Sequence, residues 1–250
     1  MNGTVVIVAS GKGGTGKTSF CAGVAVALCA FGEKVLLIDA DWGNRCLDLV
    51  LGMAGSLVFS FSDVLSGTAG LKEAAVRHPV VKNLRMLTAG NASLSGFSDS
   101  ALAGLINKAR AHYTYIIVDC AAGFSQDILR LSKLSDRTVI VSTGESTALR
   151  AAQALSGQML DTGVHDIKIV VNRVHSGAVK SGAAVNIDRA MDAAGLALLG
   201  AVPEDDDVSG CGNEGQVLML HSVGPAQAAY MNIAKRLRGE RVPLFIGVGV

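Results

Sequence analysis

Seven short runs of apolar residues recur along the chain, and none has the spacing of a helical face. Many of their residues are β-branched, which favours an extended backbone. They predict strands at residues 4–9, 34–39, 84–88, 115–119, 136–143, 167–174 and 197–205. The run at 84–88 is the weakest of the seven. Runs that are apolar on both faces are typical of parallel strands inside a sheet.

Helical patterns separate several of these runs, at residues 17–31, about 145–160, 185–194 and 225–237. Gly32 ends the first of them, as glycine commonly does. Residues 53–70 and 89–100 are rich in glycine and serine, and we expect loops with short helical turns there. The alternation predicts an α/β fold, a doubly wound and mostly parallel sheet flanked by helices. Ligands bind to such sheets at the carboxyl ends of the strands.

The composition agrees with one large buried core. Of the 250 residues, 50% are hydrophobic, 17% are charged and 4% are aromatic, so aliphatic residues and alanine must fill the interior. No linker interrupts the chain, and we expect a single domain over residues 1–243 followed by a short apolar tail, residues 244–250. The net charge of +1 gives no overall attraction to nucleic acid, and no specific nucleic-acid binding is predicted.

Cysteine and histidine give no sign of a metal centre or of export. The five cysteines contain no Cys-x-x-Cys or Cys-x-Cys pair, and the five histidines show no ligand spacing. The first residues lack the basic region of a secretory signal, and the uncharged stretch at 18–32 is too short to span a bilayer. We therefore expect a cytoplasmic protein whose cysteines are reduced and pack in the interior.

A glycine-rich segment, SGKGGTGKT at residues 10–18, follows the first predicted strand and precedes the first helix. It contains the pattern G-x-x-x-x-G-K-[ST], in which glycines let backbone N–H groups converge on phosphate oxygens at a helix N-terminus. Lys17 is placed to reach the β and γ phosphates, and the Thr18 hydroxyl to bind Mg²⁺. We expect ATP to contact Gly11, Lys12, Gly13, Gly14, Thr15, Gly16, Lys17 and Thr18. A glycine-rich turn that binds nothing is the alternative, but it does not explain the order of strand, loop, lysine and helix.

Lys12 is a second lysine in this loop, and a phosphate cradle does not require it. With it, the residues GKGGTGKT resemble the deviant phosphate loop of the ParA/MinD class of ATPases, whose early lysine enters the active site of a partner subunit. The resemblance continues in order over about residues 3–243, and GNRCLDLVLG makes it closest to MinD-like members. The other similar segments are LLIDADWGNRCLDLVLG (36–52), YIIVDCAAG (115–123), VNRV (171–174), VPED (202–205), NEGQVL (213–218) and AYMNIAKRLRGE (229–240).

Hydrolysis of a γ-phosphate needs an in-line water, a metal ion and positive charge over the developing negative charge. Three acidic residues at or just after predicted strand ends serve the first two of these needs. Asp119, at the end of a buried strand, is placed to hold the Mg²⁺ shell. The resemblance implies that Asp41 orients or deprotonates the attacking water, and that Asp39 supports the Mg²⁺ shell or the lysines. The alternatives are solvated turn carboxylates for Asp39 and Asp41, and a turn-capping aspartate for Asp119.

Gly123 is expected to act as the hinge of a second switch and to give its N–H to the γ-phosphate. The similar segment of the family usually has proline two residues before this glycine, where this chain has Ala121. Alanine loosens the backbone at this point and removes no catalytic group.

A base site is predicted from two further strand ends. Asn172 presents an amide that can pair with the adenine edge, with Arg173 as its brace, and Pro203 and Asp205 would enclose the base and the ribose. Trp42, the only tryptophan, lies in a loop that we expect to move with nucleotide, and simple packing is its alternative role.

The resemblance implies a slow ATPase that uses ATP and Mg²⁺ as a switch: ATP is sandwiched in a homodimer, and hydrolysis releases the dimer. Such an enzyme positions cell-division, flagellar or other cargo, and it needs an activating protein partner. The alternatives are an ATP-dependent metal-cluster carrier, which would normally use paired cysteines, and a nucleotide-gated interaction module with little hydrolysis. The apolar stripe at 226–237 favours core packing. The tail lacks the basic face of a membrane anchor, so peripheral association with the inner face of the plasma membrane is left open.

Overall fold

Eight strands form one sheet in the computed structural model, which describes residues 3–90, 93–175, 177 and 186–244. The strands are β1 (Thr4–Ser10), β2 (Val35–Ala40), β3 (Val76–Arg77), β4 (Leu84–Leu87), β5 (Tyr115–Ala122), β6 (Arg137–Thr143), β7 (Ile167–Val174) and β8 (Ala197–Pro203). Their order across the sheet is β3-β4-β2-β5-β1-β6-β7-β8. All pairings are parallel except that of β3 with β4. The predicted fold class is confirmed.

The helices cover both faces of this sheet. Those in the described part of the chain are α1 (Lys17–Ala30), α2 (Leu47–Val50), α3 (Phe61–Ser66), α4 (Leu71–Ala74), α5 (Asp99–Arg110), α6 (Gln126–Ser132), α7 (Ser146–Asp161), α8 (Ile187–Ala194), α9 (Asp206–Asn213), α10 (Leu218–His221) and α11 (Pro225–Leu237). None of the helices in the described part of the chain is long and apolar enough to cross a membrane.

Side chains of alternate residues in each strand pack into two separate hydrophobic cores, because successive side chains of a strand point to opposite faces of the sheet. On β1, Val6 and Val8 belong to the core beneath α1 and α11, and Val5 and Ile7 to the core beneath α5 and α7. All four of these side chains are at most 1% exposed. Burial of a valine or isoleucine contributes about 1.5–3 kcal/mol relative to exposure, so the central strand is fixed from both sides.

Helix α1 is apolar around most of its surface because it lies between the sheet and α11. Gly23 permits this close approach: a Cβ at that position would lie 2.3 Å from Cδ2 of Tyr230. The ring of Tyr230 also packs edge-to-face on Phe20, with centroids 6.2 Å apart. The apolar stripe of α11 is therefore part of the core, as expected. Of the predicted tail, residues 245–250 lie outside the described residues, and the boundary at 243 stays a prediction.

All seven predicted strands are present, with small corrections at their ends. The strand predicted to end at 119 continues to Ala122, because Ala122 still pairs with Ser10 of β1. The strand predicted to reach 205 ends at Pro203. Residue 185, where a helix was predicted to begin, lies outside the described residues, and the helix there runs from Ile187.

The buried imidazole of His78 joins two loops below the sheet edge. Its Nδ1 accepts hydrogen bonds from the backbone N–H groups of Val80 (3.1 Å) and Val81 (2.9 Å), so its proton lies on Nε2. That nitrogen donates to the carbonyl of Leu51 at 3.0 Å. Burial lowers the pKa of His78, and the bond to Leu51 offsets part of this effect. The arrangement requires the neutral ring.

We expect His78→Ala to lower the free energy of unfolding by about 1–3 kcal/mol near neutral pH, because two buried backbone groups, of Leu51 and Val81, and the partly buried N–H of Val80 lose their partner. The pKa of His78 is lower in the folded than in the unfolded chain, so its stabilisation is present above about pH 6.5 and is lost as the pH falls through the folded value. The gap between variant and wild type should therefore narrow as the pH falls. Denaturant titrations over this range test it, with exposed His112→Ala as control; a gap independent of pH would contradict the assignment.

Candidate functional site

The glycine-rich loop connects the carboxyl end of β1 to the first turn of α1. Gly14 and Gly16 adopt left-handed backbone conformations, with φ of 77° and 86°, which side chains other than glycine rarely accept. Gly16 is also the N-cap of α1, and no side chain caps this helix. The first N–H groups of α1 are thus left at the end where an anion is stabilised by the helix dipole.

Two of the loop glycines are required by packing and two border open space. A Cβ on Gly11 would lie 2.4 Å from the carbonyl oxygen of Ala151, and one on Gly16 would lie 2.3 Å from Nδ2 of Asn172. A Cβ on Gly13 or Gly14 would meet nothing within 4 Å. The loop therefore packs on β7 and α7 on one side and is accessible to a ligand on the other.

Asn172, at the carboxyl end of β7, holds the loop from below. Its Nδ2 donates to the backbone carbonyl of Thr15 at 2.8 Å, and the side chain is buried. One N–H of the predicted adenine-binding amide is therefore bonded to the phosphate loop in this structure. The hydroxyl of Thr15 is buried and has no hydrogen-bond partner.

Asp39 and Asp119 are neighbours across the sheet, opposite each other in the pairing of β2 with β5. Both are buried. Burial raises the pKa of Asp39 to about 7, although its oxygens accept bonds from the N–H groups of Asp41 (2.9 Å) and Leu47 (3.4 Å). Burial likewise raises the pKa of Asp119 to about 6, and the positive charge of Lys17 opposes this shift.

The residues around Asp119 fit a magnesium ion. The hydroxyl of Thr18 lies near the Asp119 carboxylate and lowers the pKa of that group, and Oδ1 of Asp119 is buried without a hydrogen-bond partner. Hydroxyl and carboxylate oxygens are ligands that Mg²⁺ accepts, and Mg²⁺ commonly keeps waters and phosphate oxygens as the others. The described residues contain no group of three or more histidine, cysteine or acidic side chains that could hold a metal by themselves. The donor set therefore suits an ion shared with a nucleotide.

Asp41 lies just beyond β2 and caps the loop that follows. Its Oδ1 accepts from the N–H groups of Gly43 (3.2 Å) and Asn44 (3.1 Å), and its Oδ2 accepts from Nδ2 of Asn44 (3.2 Å). Trp42 stacks on the buried ring of Phe61, with centroids 5.6 Å apart. The loop between β2 and α2 is thus ordered by its own contacts, and Trp42 has a packing role in this structure.

The two lysines of the loop have different surroundings. Lys17 is only 8% exposed, and its charge acts on Asp119. The side chain of Lys12 is 49% exposed, and its Nζ lies 3.0 Å from Oε2 of Glu145 and 3.5 Å from the hydroxyl of Thr147. Lys12 is thus held by the loop before α7, and Glu145 is a residue of this site that the sequence interpretation did not include.

Gly123 follows the end of β5 in a left-handed conformation with φ of 91°. Its N–H donates to the carbonyl of Ser10 at 2.8 Å. The N–H predicted to meet a γ-phosphate is therefore bonded to the end of β1 in this structure, and it would have to leave Ser10 to serve a nucleotide.

The predicted base residues lie at the carboxyl ends of β7 and β8. Arg173 has a left-handed backbone conformation, with φ of 58°. Its guanidinium forms a bidentate ion pair with Glu204, with an Nε–Oε2 distance of 2.8 Å and an Nη2–Oε1 distance of 2.9 Å. Pro203 is the last residue of β8 and is buried. Asp205 caps α9 and accepts the N–H of Ala226 at 3.1 Å. Glu204 is a further residue that the sequence interpretation missed, although it lies within the VPED segment.

Proteins of known family resemble this chain over almost its full length. The CobQ/CobB/MinD/ParA nucleotide binding domain matches residues 6–218. The septum site-determining protein MinD of Thermotoga maritima is 34% identical over 245 residues, which cover 97% of this chain and 90% of that protein. The MinD of Bacillus subtilis is 31% identical, with 97% and 91% covered.

Solved structures also resemble the fold of this chain over almost its full length. A MinC:MinD cell division protein complex of Aquifex aeolicus contains a chain with a TM-score of 0.90 and 31% identity, covering 96% of this chain and 98% of its own. MinD of Pyrococcus horikoshii, complexed with Mg-ADP, has a TM-score of 0.81 and 26% identity, covering 94% and 95%.

Proposed function

Because the chain belongs to the CobQ/CobB/MinD/ParA nucleotide-binding family, we propose that it is an ATP-gated dimerising switch that helps to place the division septum. Members of the MinD/ParA class are ATPases, and this chain is an ATPase. The curated relatives that it matches over most of their length are named as septum site-determining proteins. Their names support a role in cell division.

The different surroundings of Lys12 and Lys17 carry this proposal. Lys17 is buried beside Asp119 and serves the phosphates of its own subunit. Lys12 is half exposed and is held by an exposed ion pair with Glu145. Such a pair contributes about 0–1 kcal/mol, so a second phosphate group can displace it at little cost. A partner subunit that carries ATP offers such a group.

The acidic residues take distinct roles in this proposal. Thr18 and Asp119 would hold Mg²⁺, which would offset the negative charge of the phosphates. Asp39 supports this group from the neighbouring strand. Asp41 positions the attacking water and accepts its proton, since it lies at the carboxyl end of β2 on a short loop. Gly123 leaves Ser10 to meet the γ-phosphate.

Base binding is assigned to the ends of β7 and β8. Asn172 lies beside the phosphate loop through its bond to Thr15, so an adenine ring bound near its amide would remain connected to the phosphates. Arg173 and Glu204 form the outer edge of this site as an ion pair, and Pro203 and Asp205 complete it.

A protein partner is part of the proposal, because the structurally similar MinD of Aquifex aeolicus was solved in a complex with MinC. Membrane binding through α11 is not proposed, since its apolar residues are buried in the core. The metal-cluster alternative has no support among the described residues, because Cys21, Cys29 and Cys120 are buried and no group of metal ligands is formed.

Light scattering and phosphate release with ATP or ADP test the proposal. We expect the 25.6 kDa chain to be a monomer with ADP and a dimer with ATP and Mg²⁺, and to release phosphate slowly. A monomer in both nucleotides that still releases phosphate would contradict the dimerising switch. A dimer on ATP that releases no phosphate would instead favour the interaction module.

A further inference from the structure

A large open cavity of about 1070 Å³ lies at the opposite end of the sheet from the phosphate loop. Lys34 on its wall directly precedes β2, and Leu84 begins β4, so the cavity borders the amino ends of these strands. The six residues of β2 span about 20 Å at about 3.3 Å per residue. A molecule bound in this cavity therefore leaves the nucleotide site free.

Basic side chains surround this cavity, which we call the basic groove. Its lining includes Lys34, Lys72, Arg77, Lys82, Arg85 and Lys108. No acidic side chain is among the described residues that line it. The whole chain has a net charge of only +1, so positive charge is concentrated in this groove. It creates a positive electrostatic potential, which a concave surface strengthens.

Within the part of the chain that the structure describes, no ion pair neutralises these cations. None of the six takes part in an ion pair among the described residues, and Arg85 donates to the backbone carbonyl of Ala75. The adjacent acidic residues are engaged elsewhere: Glu33 pairs with Arg238 at 3.1 Å, and Glu73 accepts the N–H of Gly70 at the start of α4. By contrast, Arg110 and Arg137 outside the groove each pair with an aspartate. The groove therefore lacks the counter-charges that a partner would bring.

The lining also contains apolar residues, and these narrow the choice of partner. They are Leu71, Pro79, Val80, Val81 and Tyr113, and Val80 is 66% exposed. We call these apolar residues the floor of the groove and the six basic residues its rim. A ligand that matches both sets must carry negative charges and apolar groups together. Acidic polypeptide segments have this composition.

Other polyanions match less well. Single-stranded nucleic acid is bound by basic grooves that also provide several aromatic rings for base stacking. Here Tyr113 is the one tyrosine, phenylalanine or tryptophan among the described residues of the lining. A bilayer surface is bound by convex apolar faces that insert between headgroups, whereas this site is concave. We propose that the basic groove binds an acidic segment of a partner protein that carries apolar side chains.

Fluorescence anisotropy with a labelled peptide of glutamates interrupted by leucines tests this proposal. We expect saturable binding that weakens when the salt concentration is raised to about 0.3 M, since the rim contacts are screened. A peptide of the same length without leucine should bind several-fold more weakly, because it leaves the apolar floor uncovered. No saturable binding of the leucine-containing peptide would overturn the proposal.

Charge reversal locates the site. Arg77→Glu with Lys82→Glu should weaken peptide binding by about tenfold or more, because repulsion replaces attraction at the rim. Lys133→Glu with Arg189→Glu makes the same change in net charge at exposed positions outside the groove and should change the affinity less than twofold. Equal losses in the two double variants would show general charge attraction and overturn the proposal. Melting curves and phosphate release should match wild type in both.

Two competitors distinguish the class of partner. Unlabelled oligothymidylate and vesicles containing phosphatidylglycerol are added to the peptide complex. Displacement by the unlabelled peptide at lower concentration than by either competitor supports the proposal. Tighter binding of oligothymidylate or vesicles, lost in Arg77→Glu with Lys82→Glu, would assign the groove to that class instead and overturn it.

Discussion

Replacing Asp41 by alanine is expected to lower the rate of phosphate release by about 10²- to 10⁴-fold, the range that a positioned proton acceptor contributes, while nucleotide affinity changes by less than about threefold. Asp41 lies half-exposed beyond the end of β2. The hydrogen bonds of its carboxylate go to Gly43 and Asn44, and among the described residues none joins it to the glycine-rich loop. Its loss should therefore affect the chemical step and spare the binding of phosphate. Single-turnover hydrolysis and calorimetric titration with ADP measure the two quantities.

The variant Asp41→Asn distinguishes the role of Asp41 as a proton acceptor from its role in capping the loop after β2. The asparagine oxygen can still accept the N–H groups of Gly43 and Asn44 and keep the loop closed, but an amide cannot take a proton from water. We expect the asparagine variant to be about as slow as the alanine variant. Asp48→Ala, a matched loss of one carboxylate on nearby α2, should stay close to wild type. Full turnover in Asp41→Asn would remove Asp41 from the chemical step and leave it only the capping role seen here.

The central strands and the backbone course of the glycine-rich loop were predictable because their signals are local. A run such as residues 4–9 is apolar on both faces, and the glycine spacing of the loop dictates its backbone. Helix α5 was missed although Leu102, Leu105 and Ile106 have the spacing of a buried helical face. Strand β3 was missed because it has only two residues and is defined by its pairing with β4.

Helix α9 shows a tertiary effect that outweighs local preference. Its sequence DDVSGCGN includes Gly210 and Gly212, which disfavour a helix by about 1 kcal/mol each. The capping oxygen of Asp205 and the packing of α9 near α2 offset that cost. Apolar residues in this segment are too few to follow a helical spacing that would have predicted the helix.

The site was predicted residue by residue, but its contacts were not. The sequence placed Asp39 and Asp119 at strand ends without indicating that β2 and β5 are adjacent, since strand order is a property of the whole sheet. Asn172 and Thr15 are 157 positions apart, and Lys12 and Glu145 are 133 apart. Such pairs are decided by crossover connections, which local patterns do not report.

The largest effect on assembly is expected from Lys12→Ala, which should abolish ATP-dependent dimerisation and lower phosphate release by about 10³-fold or more, as loss of a cationic group supplied by a partner does. Binding of ADP should change little, because Lys12 is half exposed and pairs with Glu145 in the single subunit. Lys17→Ala is the matched loss of the other lysine. It should weaken nucleotide binding itself, since Lys17 is buried beside Asp119. Light scattering and ADP titration of both variants distinguish the two lysines.

Glu145→Gln provides the converse change, because it removes the charge that holds Lys12 in its own subunit. If the ion pair competes with the partner's phosphate, this variant should dimerise at the same or a lower ATP concentration than wild type, by up to about fivefold for an exposed pair worth at most about 1 kcal/mol.

A Lys12→Ala variant that still dimerises on ATP would contradict the role in trans. Loss of ADP binding in that variant would show instead that Lys12 and Lys17 serve the same subunit, and that the first lysine of GKGGTGKT is a second part of one phosphate cradle.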